Sequence, residues 1–141
     1  MATALSPSVF VGKSIKFGTD GWRGMIAADF TFERVELVAA LAAKVLEDCY
    51  GNNGSRTVIV GYDRRFLSPD FAGHAAEAVA QAGYDVLLSD CFAPTPAFSR
   101  AAHDKGSLGA IVIIASHNPA AYSGLKVTGA FGGSVPPDVT P

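Results

Sequence analysis

The sequence predicts an α/β domain, a three-layer α/β/α sandwich around a mixed, mostly parallel sheet. Three observations carry that reading. Short apolar runs alternate with stretches in which apolar residues recur every three or four positions, the order of a parallel sheet with crossover helices. The run Ile111-Val112-Ile113-Ile114 lacks polar alternation, as a strand covered on both faces does. A chain of 141 residues, 49% hydrophobic and 17% charged, is long and apolar enough for one real core and is not disordered.

Residues 1–12 read as a flexible tail, and residues 13–141 as a single domain. The start lacks the basic and apolar regions of a signal peptide, so the protein is expected in the cytoplasm. Ile15-Lys16-Phe17 predicts a short strand, and Gly18 to Gly24 a loop with glycines every third residue. Such a loop can bring backbone N–H groups close to an anion, although the spacing is neither the dinucleotide fingerprint nor a P-loop. Arg23 inside it suits paired recognition of phosphate or carboxylate.

From Thr31 to about Tyr50 the pattern is helical, with Phe32, Val35, Val38, Leu41, Val45 and Cys49 on one stripe and Thr31 as the cap. Gly51-Asn52-Asn53-Gly54 ends it. Thr57–Tyr62 predicts a buried strand. Ser68, Pro69 and Asp70 read as cap, first-turn proline and favourable acid of a second helix that ends at Gly83. Tyr84–Leu88 predicts a third core strand. Thr95 as cap and Pro96 as first helical residue open a short helix ending near Gly106. Residues 109–115 form the central strand, and Gly124–Thr128 a short strand paired with it as a hairpin. His74 reads as a surface or packing residue, His103 and Lys105 as last-turn cations suited to the helix dipole, and Cys49 and Cys91 as buried or half-buried free thiols without metal-ligand spacing.

A net charge of -2 gives no general attraction to nucleic acid, and no apolar run spans a bilayer. The candidate site is Ala115-Ser116-His117-Asn118-Pro119, at the carboxyl end of the central strand, where open α/β sheets bind ligands. Neighbouring residues on an extended chain point to opposite sides, so His117 is poorly placed to deprotonate Ser116, and the nucleophile elbow of the hydrolases is absent. A serine that carries a phosphoryl group fits better: it needs cations around it, and Arg23 and Lys126 supply them if the loops converge. A plain turn serine remains the competing reading of the spacing.

Ala115–Pro119 followed by Tyr122-Ser123-Gly124-Leu125-Lys126 resembles the active-site serine loop of the α-D-phosphohexomutases, the phosphoglucomutase/phosphomannomutase family. Phe17–Gly24, Val60–Arg65 and Pro94–Ala97 are similar to that family's first domain in order and spacing. Ile114 stands where the family often has Thr, and Ser123 where it usually has Asn. The family's enzymes have four domains, and no Asp-Gly-Asp metal loop occurs in this sequence.

The resemblance implies a phosphoserine at Ser116 that exchanges its phosphoryl group with a hexose phosphate through a bisphosphate, interconverting the 1- and 6-phosphates. It implies that Arg23 and Lys126 stabilise the transferring charge. His117 would hydrogen-bond the substrate, Thr19 and Asn118 would bind substrate or phosphate, and Asn118-Pro119 would shape the turn. Magnesium would sit on a phosphoserine oxygen, its other ligands coming from a later domain, with a hexose 1,6-bisphosphate as activator. The partners implied are the hexose phosphate and the missing domains of the same enzyme, with no nucleic acid and no membrane. Asp63 and Arg64 are expected to brace the neighbouring loop through a local ion pair, with a catalytic role as the minority reading. The isolated chain is expected to lack mutase turnover. The alternative is a stand-alone, non-catalytic sugar-phosphate-binding or assembly module of the same fold. A weaker third reading, a serine hydrolase, would be decided by an activated ester and a fluorophosphonate probe.

Overall fold

In the computed structural model, residues 22–27, 30–51, 55–64, 67–114 and 122–129 are described. The elements are β1 (Trp22–Met25), α1 (Phe32–Tyr50), β2 (Thr57–Tyr62), α2 (Ser68–Gln81), β3 (Asp85–Leu88), α3 (Thr95–Asp104), β4 (Gly109–Ile113) and β5 (Tyr122–Gly129). The strand expected at 15–17 lies outside the described residues. The glycine loop expected to run through Gly24 is shorter than that: Trp22–Met25 is an edge strand, because Trp22 has a core to enter and β5 offers it a partner.

The sheet order is β1-β5-β4-β2-β3. β2 is parallel to β3 and β4, whereas β5 is antiparallel to β4 and to β1. The chain steps from β2 outward to β3, then back past β2 to β4. Crossovers of constant right hand put helices on opposite faces when the step reverses. Accordingly α1 and α2 cover one face and α3 the other. Side chains alternate between the two layers: Val58, Val60, Ile111 and Ile113 join the α1/α2 core, whereas Ile59, Ala110 and Val112 pack with Phe98 and Ala102 of α3.

Thr31 caps α1 as expected, its Oγ1 accepting from the Arg34 N–H at 3.3 Å. The buried stripe is rotated from the expected one. It runs Val35, Val38, Ala39, Ala42, Ala43 and Leu46, whereas Leu41 and Cys49 are exposed. The alanines let α1 lie close on its neighbours, and that closeness chooses the face over the larger side chains. Trp22, Phe30, Phe71, Phe32 and the His74 ring form a chain of aromatic contacts with centroids 4.4–4.7 Å apart, stitching β1, α1 and α2. His74 Nδ1 also bonds Glu36 Oε1 at 2.7 Å, so it packs between helices as expected.

Three further expectations are corrected. β3 is an edge strand, not a core strand, and leaves Leu87 and Leu88 nearly half exposed. Cys49 and Cys91 are both exposed free thiols. Thr95 is the first residue of α3, and Pro94 holds the cap position.

Candidate functional site

In the chain β2 leads on to β3 on one side of it in the sheet, and β4 to β5 on the other, so the order reverses between these two adjacent parallel strands. In open α/β sheets the ligand crevice lies at the carboxyl ends of two such strands. The strand ends here are tightly tied. The Asp63 N–H donates to the Ile113 carbonyl at 3.0 Å, and the Ile114 N–H donates to the Gly124 carbonyl at 2.8 Å. Ser116, His117 and Asn118 follow Ile114 in the chain but lie outside the described residues, as does Thr19.

β1 and β5 bring the backbone positions of the two expected cations, 23 and 126, to the same end of the sheet. Arg23 is registered opposite Gly124, and Lys126 opposite Val112. Gly124 and Lys126 are two apart on one strand and so share a face, the one that α3 covers. The register sets the Cα atoms of positions 23 and 126 on the order of 8 Å apart, the diagonal of a pleated sheet. Lys126 is half-buried and belongs to a strand, which limits its sweep. The sheet thus draws together two residues more than a hundred positions apart.

On the β2 side the loop is braced differently from expectation. Ser68 does not cap α2. Leu67 precedes the helix in the left-handed region, at φ 64°, and the fully buried Ser68 hydroxyl donates to Asp63 Oδ1 at 2.6 Å. A serine before Pro69 carries the ordinary signal of a cap, and only the fold brings Asp63 within reach to compete for its hydroxyl. Arg64 is exposed, and its guanidinium lies over the Phe92 ring, 4.9 Å from the centroid. The loop bearing Phe92 is pinned across the end of β2 by Ser89 N–H to Val60 O at 2.9 Å and Ala93 N–H to Tyr62 O at 3.2 Å. The sequence does not single out Phe92; an aromatic in a polar loop carries no signal until the neighbouring strand is known.

Ser123, at the start of β5 and opposite Gly24, is fully buried, and its hydroxyl has no hydrogen-bond partner among the described residues. At the opposite end of the sheet, Tyr84 O–H donates to Glu47 Oε1 at 2.8 Å and Arg56 bonds Glu47 Oε2 at 2.7 Å. Burial, and then the bond to Glu47, push the Tyr84 phenol up to about 12, while the Tyr84 hydroxyl holds the Glu47 carboxyl below its ordinary value. That cluster ties α1 to β2 and to the turn after α2, away from the crevice.

Among the described residues no group of three His, Cys, Asp or Glu side chains is placed to hold a metal ion, and no helix is long and apolar enough to cross a membrane. A magnesium ion would therefore need ligands from beyond the described residues.

Comparison with known proteins agrees with the architecture. The family described as phosphoglucomutase/phosphomannomutase, alpha/beta/alpha domain I, matches residues 14–141. A phosphoglucosamine mutase of Synechococcus elongatus is 38% identical over 117 residues, covering 82% of this chain and 24% of that protein. A phosphoglucomutase of Staphylococcus haemolyticus is 33% identical over 132 residues, covering 89% and 23%. A solved structure from Thermus thermophilus that bears the name phosphomannomutase superposes with a TM-score of 0.82 at 35% identity, over 92% of this chain and 29% of that one. The chain thus spans about a quarter of the length of the curated relatives it matches. On the fold, the matched span and these relatives, the chain belongs to the phosphoglucomutase/phosphomannomutase family, as its α/β/α domain I.

Proposed function

We propose that this chain is the serine-bearing domain of a sugar-phosphate mutase, with Ser116 as the phosphoryl carrier. The observation that carries this reading is the position of Ile114. It directly follows the central strand β4, at the point where the sheet order reverses, two residues before Ser116, and two residues span at most about 7 Å. Arg23 and Lys126 occupy nearby rows of the same sheet end. Phosphoryl transfer asks a protein mainly for positioning and for cations at the transferring oxygens. In the reading proposed, Ser116 Oγ takes the phosphoryl group of a hexose bisphosphate and loses its proton. The bond from phosphorus to the sugar oxygen breaks, and that oxygen leaves as a hydroxyl. Arg23 and Lys126 offset the charge on the equatorial oxygens, His117 hydrogen-bonds the sugar or its phosphate, and Thr19 and Asn118 contact phosphate.

The described residues do not form a cage for magnesium, so no step is assigned to the metal. In this reading, turnover of hexose 1-phosphate to hexose 6-phosphate needs metal and sugar contacts from outside this chain, which spans about a quarter of its relatives' length. The test is intact mass with phosphosite mapping after incubation with glucose 1,6-bisphosphate and magnesium. A gain of one phosphate on Ser116, absent in Ser116→Ala, supports the reading. A phosphate elsewhere, or mutase turnover by the 141-residue chain alone, contradicts it.

A further inference from the structure

β3 closes the sheet on the side away from β1, and its outer edge has no strand beside it. Among the described residues four large hydrophobic side chains are exposed, and three of them gather at this rim: Leu87 at 45%, Leu88 at 47% and Phe92 at 51%. The register assigns the leucines to faces. Leu87 stands opposite Ile59 of the α3 layer, and Leu88 opposite Val60 of the α1/α2 layer. α3 rests on β2, β4 and β5, so Leu87 extends that apolar layer beyond the helix that covers it. The backbone is equally specific. The Asp85 N–H donates to the Arg56 carbonyl at 2.9 Å, and the Ser89 N–H donates to the Val60 carbonyl at 2.9 Å. In a parallel pair one residue turns both its N–H and its C=O to the neighbouring strand, and the next turns both away. Val86 and Leu88 therefore present their N–H and C=O groups outward. Charge or proline commonly guards such an edge, and the run Val86-Leu87-Leu88 has neither.

We infer that this edge pairs with the same edge of a second copy of the chain, antiparallel, about a twofold axis at Leu87. A contact of that symmetry needs a surface complementary to itself. With the axis at Leu87, Val86 of each copy faces Leu88 of the other, and each such pair exchanges both backbone hydrogen bonds. Every outward group of the two residues is then used. The two Leu87 side chains meet at the axis, in the close, non-hydrogen-bonded position, while Leu88 lies against the other copy's Val86 on the opposite face. The charges agree. Antiparallel pairing lays the exposed Asp85, at the start of one strand, toward the end of the other, where the Arg64 guanidinium lies over Phe92. The described chain leaves the sheet at Gly129 of β5, with β4 and β2 between it and this rim, so nothing in the register directs the following residues to it. An edge of 4 residues is small. The interface falls at the low end of the size range, below about 1,200 Å², and a Kd on the order of 0.1 mM is expected. The pairing makes no use of the proposed carrier chemistry.

The test is sedimentation velocity of the 141-residue chain from about 10 μM to about 1 mM, with 15N–1H NMR spectra at both ends of that range. The sedimentation coefficient is expected to rise to that of a dimer and stop there, because the twofold uses up both edges. The amide signals of 86–88 are expected to move with concentration, and those of β1, at the other edge of the sheet, to stay. Leu87→Lys and Leu87→Glu each set like charges against one another at the axis, and each is expected to raise the dimer Kd at least about tenfold. An equimolar mixture of the two is expected to recover the dimer, because position 87 faces its own counterpart. Leu88→Pro removes an outward N–H without touching a bond to β2, and is expected to weaken the dimer too. Urea unfolding of each variant checks that its fold is kept. A wild type that stays monomeric at about 1 mM leaves the rim to some other partner and overturns the second copy. A dimer unchanged in both Leu87→Lys and Leu88→Pro overturns the edge. A mixture no more associated than its components overturns the axis at Leu87, and growth beyond dimers overturns the closed pairing.

Discussion

Gly61 offers a sharp test of the packing that supports the crevice. It lies in β2 on the α3 side, where the Phe98 ring edge comes so near that an added Cβ would meet Cδ1 at 2.5 Å, with Cε1 and Cζ closer still. Ordinary contact is about 3.5–4.0 Å, so the ring must retreat by about 1 Å. It has little room, since Phe98 is 6% exposed and packed among Ile59, Ala102, Ala110 and Val112. Gly61→Ala is therefore expected to cost about 1–3 kcal/mol, the usual range for overpacking. Ala's strand preference over Gly returns at most about 1 kcal/mol of that. Phe98→Leu alone, which opens space instead, is expected to cost about 1–3 kcal/mol. The double variant should be less destabilised than the sum by at least about 1 kcal/mol, because the smaller side chain vacates the volume the new methyl enters. Urea unfolding at fixed slope measures all three. The reasoning is refuted if Gly61→Ala lies within about 0.5 kcal/mol of wild type, or if the two substitutions add.

Other consequences follow from single groups. Thr128 Oγ1 is buried without a partner among the described residues, so Thr128→Val should stabilise the chain by about 1 kcal/mol, read as a higher urea midpoint. A loss of stability would mean that hydroxyl is bonded. The Tyr84 phenol is held at about 12 against an ordinary 10.0. The fold favours its neutral form, so that contribution is complete below about pH 10 and is lost as pH rises through about 12. Wild type should fall more steeply than Tyr84→Phe between about pH 10 and 12, by at most about 3 kcal/mol; parallel curves would remove Tyr84 as the cause. Glu47 has its pKa lowered, so its share is present above its unfolded value and fades as pH falls below it. Glu47→Gln should flatten the acid limb of the urea midpoint. Thr31→Ala removes the cap on α1 and should cost about 1 kcal/mol by the same assay.

The layers were legible because each central strand is a β-branched run and each helix has its own stop: Thr57–Tyr62 and Gly109–Ile113 lie where the apolar runs put them. What escaped depends on strand order, which local pattern does not encode. Tyr84–Leu88 looks as apolar as β2, but it occupies the rim, so Leu87 and Leu88 meet solvent. Trp22–Gly24 reads as a loop by its glycines, and becomes a strand only because β5 arrives beside it. Ser68 carries every local sign of a cap, yet Asp63 claims its hydroxyl. In the site, the Ser116 segment announces itself by residue type and by resemblance. Phe92 becomes visible only once Arg64 is placed over it.

The register of β1 has a consequence for synthesis. Trp22 is the first described strand residue to be made, yet it pairs with Leu125, near the last, and with no earlier strand. β2 can take up β3 as soon as α2 has formed, and β4 once α3 follows. β1 must wait for the β5 ribbon before its backbone has a strand partner, although its indole packs on Phe30, which is made soon after it. Closing so long a loop is slow, because its entropy is spent before the contacts repay it. β1 is thus the clasp of a nearly finished sheet, and position 23 comes into register with it. A chain stalled before β5 would hold most of its core and none of the cationic pairing at the crevice, so charge readiness would report completion of the fold.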